Sequence, residues 1–146
     1  MNQAIQEFIE GKRIAILGVS RSGKKFGNIA YTELKQRGYQ VFIVHPEAKE
    51  IDGEPCYPSL ASLKGQVDGV LICVPPLQAE QAVREAAGAG MKHIWLQQGA
   101  QSPAVLAAAR ELGVDPIVGK CILMYAQPVQ SFHRVHRVVM KLVGQL

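Results

Sequence analysis

Arg13-Ile14-Ala15-Ile16-Leu17-Gly18-Val19-Ser20-Arg21-Ser22-Gly23-Lys24 is the stretch whose reading decides the fold. An apolar run ends on a glycine, and small, polar and basic residues lead to a second glycine. From Lys24 to Arg37, Phe26, Ile29, Ala30 and Leu34 recur at helical spacing, and Gly38 is placed to end the helix. Strand, turn and helix in that order put backbone N–H groups and the positive end of a helix dipole at a strand's carboxyl end. Open α/β sheets bind anionic ligands at such places. The turn reads as a phosphate cradle.

Working outward, residues 2–10 read as a short helix with Ile5, Phe8 and Ile9 on one face. The first strand is 13–18, and the second is Gln40 to Val44, ending at His45-Pro46. The stretch from there to Pro58 reads as a loop broken by Gly53, Pro55 and Pro58, and Ser59 caps a short helix through Leu63. Val67 to Val74 is a third strand, stopped by Pro75-Pro76, with a helix from Leu77 to Ala89. Lys92 to Leu96 is a fourth strand followed by Gln97-Gln98-Gly99, and Ser102 with Pro103 opens another helix through Leu112. Val114 to Val118 completes the pattern as a short fifth strand.

Strands and helices alternate, and the strands are continuous apolar runs, as in a parallel sheet buried on both faces. The expected fold is a three-layer, doubly wound α/β domain with a Rossmann-like sheet of five or so strands, and one domain over residues 1–146. Pro128 to Leu146 reads as a final amphipathic helix. Its apolar stripe (Val129, Phe132, Val135, Val139, Leu142 and Leu146) suits packing on the sheet, on a second copy in a homodimer, or on a partner protein.

Composition narrows the class. The 146 residues are 48% hydrophobic and 19% charged, which is ordinary globular usage. No apolar run approaches the roughly 18 residues of a spanning helix, so no membrane partner is expected. The start of the chain lacks the basic and apolar regions of a signal peptide. Cys56, Cys73 and Cys121 are an odd number without metal-ligand spacing. Both observations favour a cytoplasmic setting. The net charge of +4 permits nucleic acid as a partner. No aromatic-rich basic ribbon accompanies it, so that partner is not expected.

Three phosphate ligands compete for the turn. Gly18 to Lys24 matches seven positions of the nucleoside-triphosphate loop G-x-x-x-x-G-K-[ST], but Lys25 replaces the magnesium-binding hydroxyl. An acid at the end of a neighbouring strand is also missing, so ATPase chemistry is disfavoured. A nicotinamide dinucleotide needs G-x-G-x-x-G and a ribose-binding acid after the second strand; only Gly18 and Gly23 occur, and His45-Pro46 stands where the acid belongs. An NADP-type ligand, and hence an NAD(P)-binding redox protein or sensor, stays open because Arg21, Lys24 or Lys49 could meet its extra phosphate. The third ligand is coenzyme A (CoA), an adenosine 3′-phosphate with a diphosphate and a pantetheine arm.

For that third ligand the motifs become specific. Gly18-Val19-Ser20, Val44-His45-Pro46, Ile51-Asp52-Gly53, Tyr57-Pro58-Ser59-Leu60, Val74-Pro75-Pro76, Trp95-Leu96-Gln97-Gln98-Gly99 and Cys121 follow one another in register. With these the chain resembles the stand-alone CoA-binding proteins, small relatives of the Rossmann-like CoA-binding domain of the succinyl-CoA synthetase α subunit. The resemblance implies binding of CoA or an acyl-CoA as a ligand, at the carboxyl ends of the strands, without catalysis by this domain. It places Gly18, Val19, Ser20 and Gly23 around the diphosphate, with Arg21 and Lys24 beside them. His45, where the family commonly has Asn, and Pro46 line the adenosine side. Val74, Pro75 and Pro76 bound the crevice, and Gln97, Gln98 and Gly99 meet the pantetheine amides.

No catalytic residue and no metal site is expected. His133 and His136 are three apart, but no further ligand follows at a supporting spacing, and His93 reads as structural. Cys121 follows the fifth strand beside Lys120, which could lower its pKa if it faced the crevice; burial as a small apolar residue is the plainer expectation. The remaining class of function is a partner- or nucleic-acid-binding adaptor acting through the basic terminal helix.

Overall fold

The computed structural model describes residues 2–126. The terminal helix expected over 128–146, with His133 and His136, lies outside the described residues. The chain runs α1 (Gln3–Glu10), β1 (Arg13–Leu17), α2 (Phe26–Gln36), β2 (Gln40–Val44), β3 (Glu50–Ile51) and β4 (Glu54–Tyr57). A 3-10 turn (Leu60–Leu63), β5 (Gly69–Ile72), α3 (Pro76–Gly88), β6 (Ile94–Leu96), α4 (Pro103–Glu111) and a last 3-10 turn (Ile122–Met124) follow. Caps set several of these starts. The Asn2 side chain accepts from the Ile5 amide, and Ser59 and Ser102 do the same for Ser62 and Val105.

One sheet of six strands in the order β3-β4-β2-β1-β5-β6 organises the molecule. All pairings are parallel except β3 with β4. The register sets Leu17 of β1 between Val44 of β2 and Ile72 of β5. From β1 the chain builds outward to β2 and β4, then returns to place β5 on the other side of β1. The carboxyl ends of β1 and β5 therefore form a topological switch point, where a crevice opens between diverging turns.

Both faces are covered, as the continuous apolar strands require. On one face, Ile5, Phe8 and Ile9 of α1, Leu34 of α2 and Ile122 and Leu123 close over Ile14, Ile16 and Trp95. Phe8 meets the fully buried Trp95 edge-on with ring centroids 5.3 Å apart. On the other face, α3, α4 and the first 3-10 turn bury Val83, Val105 and Leu60 against Ala15, Val70 and Ile72. The three-layer architecture is the expected one.

Two local expectations need correction. The stretch from His45 to Pro58 is not a plain loop: residues 50–57 form a short antiparallel hairpin, whose second strand adds to β2 through Ile43↔Cys56 and Val44↔Tyr57. Asp52-Gly53 makes its turn, with Asp52 at φ 51° and Gly53 at φ 80°. The fifth strand expected over 114–118 shrinks to a single parallel bridge, Trp95↔Ile117. The Ile117 amide donates to the Ile94 carbonyl and its carbonyl accepts from the Leu96 amide; Gly119, at φ 73°, then turns the backbone away where the next bond would form.

Candidate functional site

The turn after β1 is built by close approach. Gly18 has φ 111°, and a Cβ there would sit 2.5 Å from the Cys73 carbonyl oxygen. Gly27, in the first turn of α2, is packed so tightly that a Cβ would overlap the Gly18 carbonyl. The pair lets the start of α2 lie directly against the end of β1. Asn28 then clasps the turn: its Oδ1 accepts from the Ser20 amide at 3.0 Å and its Nδ2 donates to the Ser20 carbonyl at 2.9 Å. Ser20 Oγ accepts from the Ser22 amide and lies 2.8 Å from Ser22 Oγ. Lys25 caps α2 without a side-chain bond. Among the described residues, the amides of Val19, Arg21, Phe26 and Gly27 have no acceptor. These donors and the α2 dipole suit an anion.

Around this turn lies a crevice of about 640 Å³, within the roughly 300–1,000 Å³ usual for small-molecule sites. Of the residues singled out from the sequence, it brings together Gly18, Val19, Ser20, Arg21, His45, Pro46, Val74 and Pro75, with Lys25 beside them. Gly23 instead borders a smaller depression with Asn28, Thr32 and Asp52. Lys24 is exposed and Pro76 starts α3; neither lines the crevice.

Gln97, Gln98 and Gly99 are not brought to the crevice either, because β6 lies one strand beyond β5. Gln97 is 3% exposed and its Oε1 accepts from the Ile122 amide at 3.1 Å, which fixes the last 3-10 turn. Trp95 Nε1 donates to the Lys120 carbonyl, and the buried Arg37 donates Nη1 to the carbonyls of Leu123 and Ala126. Three buried polar side chains thus hold residues 120–126.

Residues 12–127 match the CoA binding domain. The chain belongs to this family. An ADP-forming acetate–CoA ligase of Archaeoglobus fulgidus is 28% identical over 123 residues, covering 77% of this chain and 18% of the ligase. The chain therefore spans less than a fifth of that relative. A conserved hypothetical protein from Pyrococcus furiosus is 37% identical with a TM-score of 0.72, over 76% of this chain and 96% of that one. A hypothetical protein from Pyrococcus horikoshii is 26% identical with a TM-score of 0.75, over 93% and 92% of the two chains.

Within this CoA binding domain, His45 holds the turn that follows β2. Its Nδ1 accepts from the amides of Glu47 and Ala48 at 3.1 and 2.9 Å, as an Asn side chain does in a turn. An accepting Nδ1 leaves the ring proton on Nε2. Cys121 packs in the core, 5% exposed, and burial pushes its thiol up despite the Gln97 amide beside it. Burial as a small apolar residue is the plainer expectation from sequence, and Lys120 is not among the groups that lower the thiol. Burial also raises the Cys73 thiol, which borders the crevice.

The sequence reading missed one wall of the site. Gln78, Gln81, Ala82 and Glu85 of α3 line the crevice together with Pro58 and Ser59. Glu85 Oε1 accepts from the Leu60 amide, which ties α3 to the 3-10 turn. Spacing at i, i+3 and i+7 was the available signal, because it places 78, 81 and 85 on one helical stripe. Gly27 and Asn28 carry no such signal, because their use depends on the packing of α2 against the end of β1. No group of three His, Cys, Asp or Glu side chains able to hold a metal occurs among the described residues, and no described helix is long and apolar enough to cross a membrane.

Proposed function

We propose that this chain is a single cytoplasmic domain that binds CoA or an acyl-CoA in the crevice between β1, β2 and β5, without transforming it. The observation that carries this reading is the juxtaposition, at the switch point of a CoA binding domain, of a glycine turn rich in free amides with Arg21 and Lys25. The amides and the α2 dipole take the diphosphate, and the two cations meet the remaining phosphate charge. Pro46, Val74 and Pro75 supply apolar walls, and His45 holds the turn that carries Pro46. An arm extending past Pro75 toward the end of β6 meets Gln98 and Gly99 rather than Gln97, whose side chain is spent on Ile122. A homodimer or a partner protein would use the terminal segment. The ligase chemistry of the longer relatives is not part of the proposal.

Native mass spectrometry of protein purified without added ligand, followed by titration with CoA, dephospho-CoA, NAD and NADP, tests the reading. We expect CoA to be retained and to bind more tightly than dephospho-CoA, which lacks the 3′-phosphate. Absence of any CoA complex, or a preference for NADP, would overturn it.

A further inference from the structure

The α3 residues that line the crevice are chemically unlike the β1 turn that lines it with them. Arg21 and Lys25 gather positive charge at the phosphate end, yet Glu85 places a carboxylate in the same cavity. A carboxylate beside an anionic ligand is unfavourable unless the ligand offers it a hydrogen-bond donor, because an ionised carboxylate can only accept. Glu85 Oε1 is already used by the Leu60 amide, which fixes the side chain in place. Its Oε2 has no partner among the described residues. Gln81 and Gln78 stand one and two turns before it on the same face, and each amide carries both donor and acceptor. Ala82 between them keeps the wall low, and Pro46, Val74 and Pro75 present apolar surfaces suited to the faces of a flat ring. Apolar walls with a polar edge at one side are how a site selects a planar heterocycle.

We infer that α3 reads the nucleobase: Glu85 Oε2 accepts from the exocyclic amine of adenine, and Gln81, with Gln78 behind it, pairs with the adjoining ring nitrogens. This rests on the CoA reading above and adds to it the group that discriminates the base. Phosphates fix the ligand's position at the β1 turn, and the base edge fixes its identity along α3.

The test compares CoA with the analogue whose base is purine, lacking only the 6-amino group, by calorimetric titration of the wild-type chain and of Glu85→Gln. The substitution keeps an oxygen for the Leu60 amide and turns an NH2 group toward the base, so the donor–acceptor match is lost with little change in shape. We expect the wild-type chain to bind the purine analogue about tenfold or more weakly than CoA, as for loss of a hydrogen bond to a charged group. In Glu85→Gln that ratio should collapse toward one, with CoA itself weakened. Equal binding of both ligands by the wild-type chain overturns the inference while leaving CoA binding intact. An unchanged ratio in Glu85→Gln also overturns it, and assigns Glu85 to another donor such as a pantetheine amide. If the wild-type chain binds neither ligand, the CoA reading itself fails and takes this inference with it. Should Glu85→Gln fail to fold, Gln81→Ala takes its place in the same comparison: a ratio that falls toward one supports reading of the base by α3, and an unchanged ratio overturns it.

Discussion

At the scale of single residues, the turn after β1 depends on two side chains that are absent. Gly27 is the more informative, because its φ is unexceptional and only proximity demands glycine there. Its missing Cβ would occupy the space of the Gly18 carbonyl, which is backbone and cannot rotate away. We expect Gly27→Ala to force α2 outward, lowering stability by about 1–3 kcal/mol as overpacking does, and to weaken CoA binding together with it. Urea denaturation and a binding titration on the same variant check both. Wild-type values for both would mean that the close approach has no energetic role. The sequence carried the Gly18 turn plainly, since a glycine ending an apolar run has few other uses. Gly27 was illegible because a helical glycine shows its purpose only when the neighbouring strand is in place. Gln97 misled for a related reason: a polar pair before a glycine reads as an exposed turn, and nothing local announces that the Ile122 amide, 25 residues on, needs its oxygen.

At the scale of elements, periodicity served well where packing is simple and poorly where one residue redirects the chain. The central strands are apolar throughout because both faces are covered, and their positions were readable to within a residue or two. The hairpin at 50–57 was hidden by Pro55, which lies on its inner strand β4 opposite Glu50, at a pair that exchanges no ladder bond because the neighbouring Cys56 amide donates to the Lys49 carbonyl. A polar link joins the first and fifth strands at their amino ends. Asp68 accepts from the Arg13 backbone amide at 3.0 Å and from its guanidinium at 2.9 and 3.2 Å. The Arg13 guanidinium holds the Asp68 carboxyl below its ordinary value, while Asp68 in turn raises Arg13. A carboxylate depressed on folding stabilises the fold above its unfolded pKa, near 4, and that contribution disappears as pH falls through the lower folded value. We expect Asp68→Asn to flatten part of the stability loss between about pH 4 and pH 2, by a modest amount because the pair is solvent-exposed. Thermal unfolding midpoints across that range are the measurement. Parallel curves for wild type and variant would assign the acid limb elsewhere.

At the scale of the whole molecule, the doubly wound sheet was legible from strand and helix order alone, and with it the edge on which a ligand would sit. What order could not supply was the shape of the opening. The crevice stops at β5 on one side and runs along α3 on the other, a consequence of which helix follows the switch point and of how the 3-10 turn at 60–63 braces it. The central claim is that CoA occupies this opening. Amide NMR spectra of the isotopically labelled chain, recorded through a titration with CoA, test it most directly. The account predicts the largest shifts at Gly18 to Arg21, at His45 and at Val74, with further shifts at Gln78, Gln81 and Glu85 and little change at Asp68 or Gly113. Saturating CoA that leaves the Gly18 to Arg21 amides unmoved, or that moves only residues away from the crevice, would contradict it.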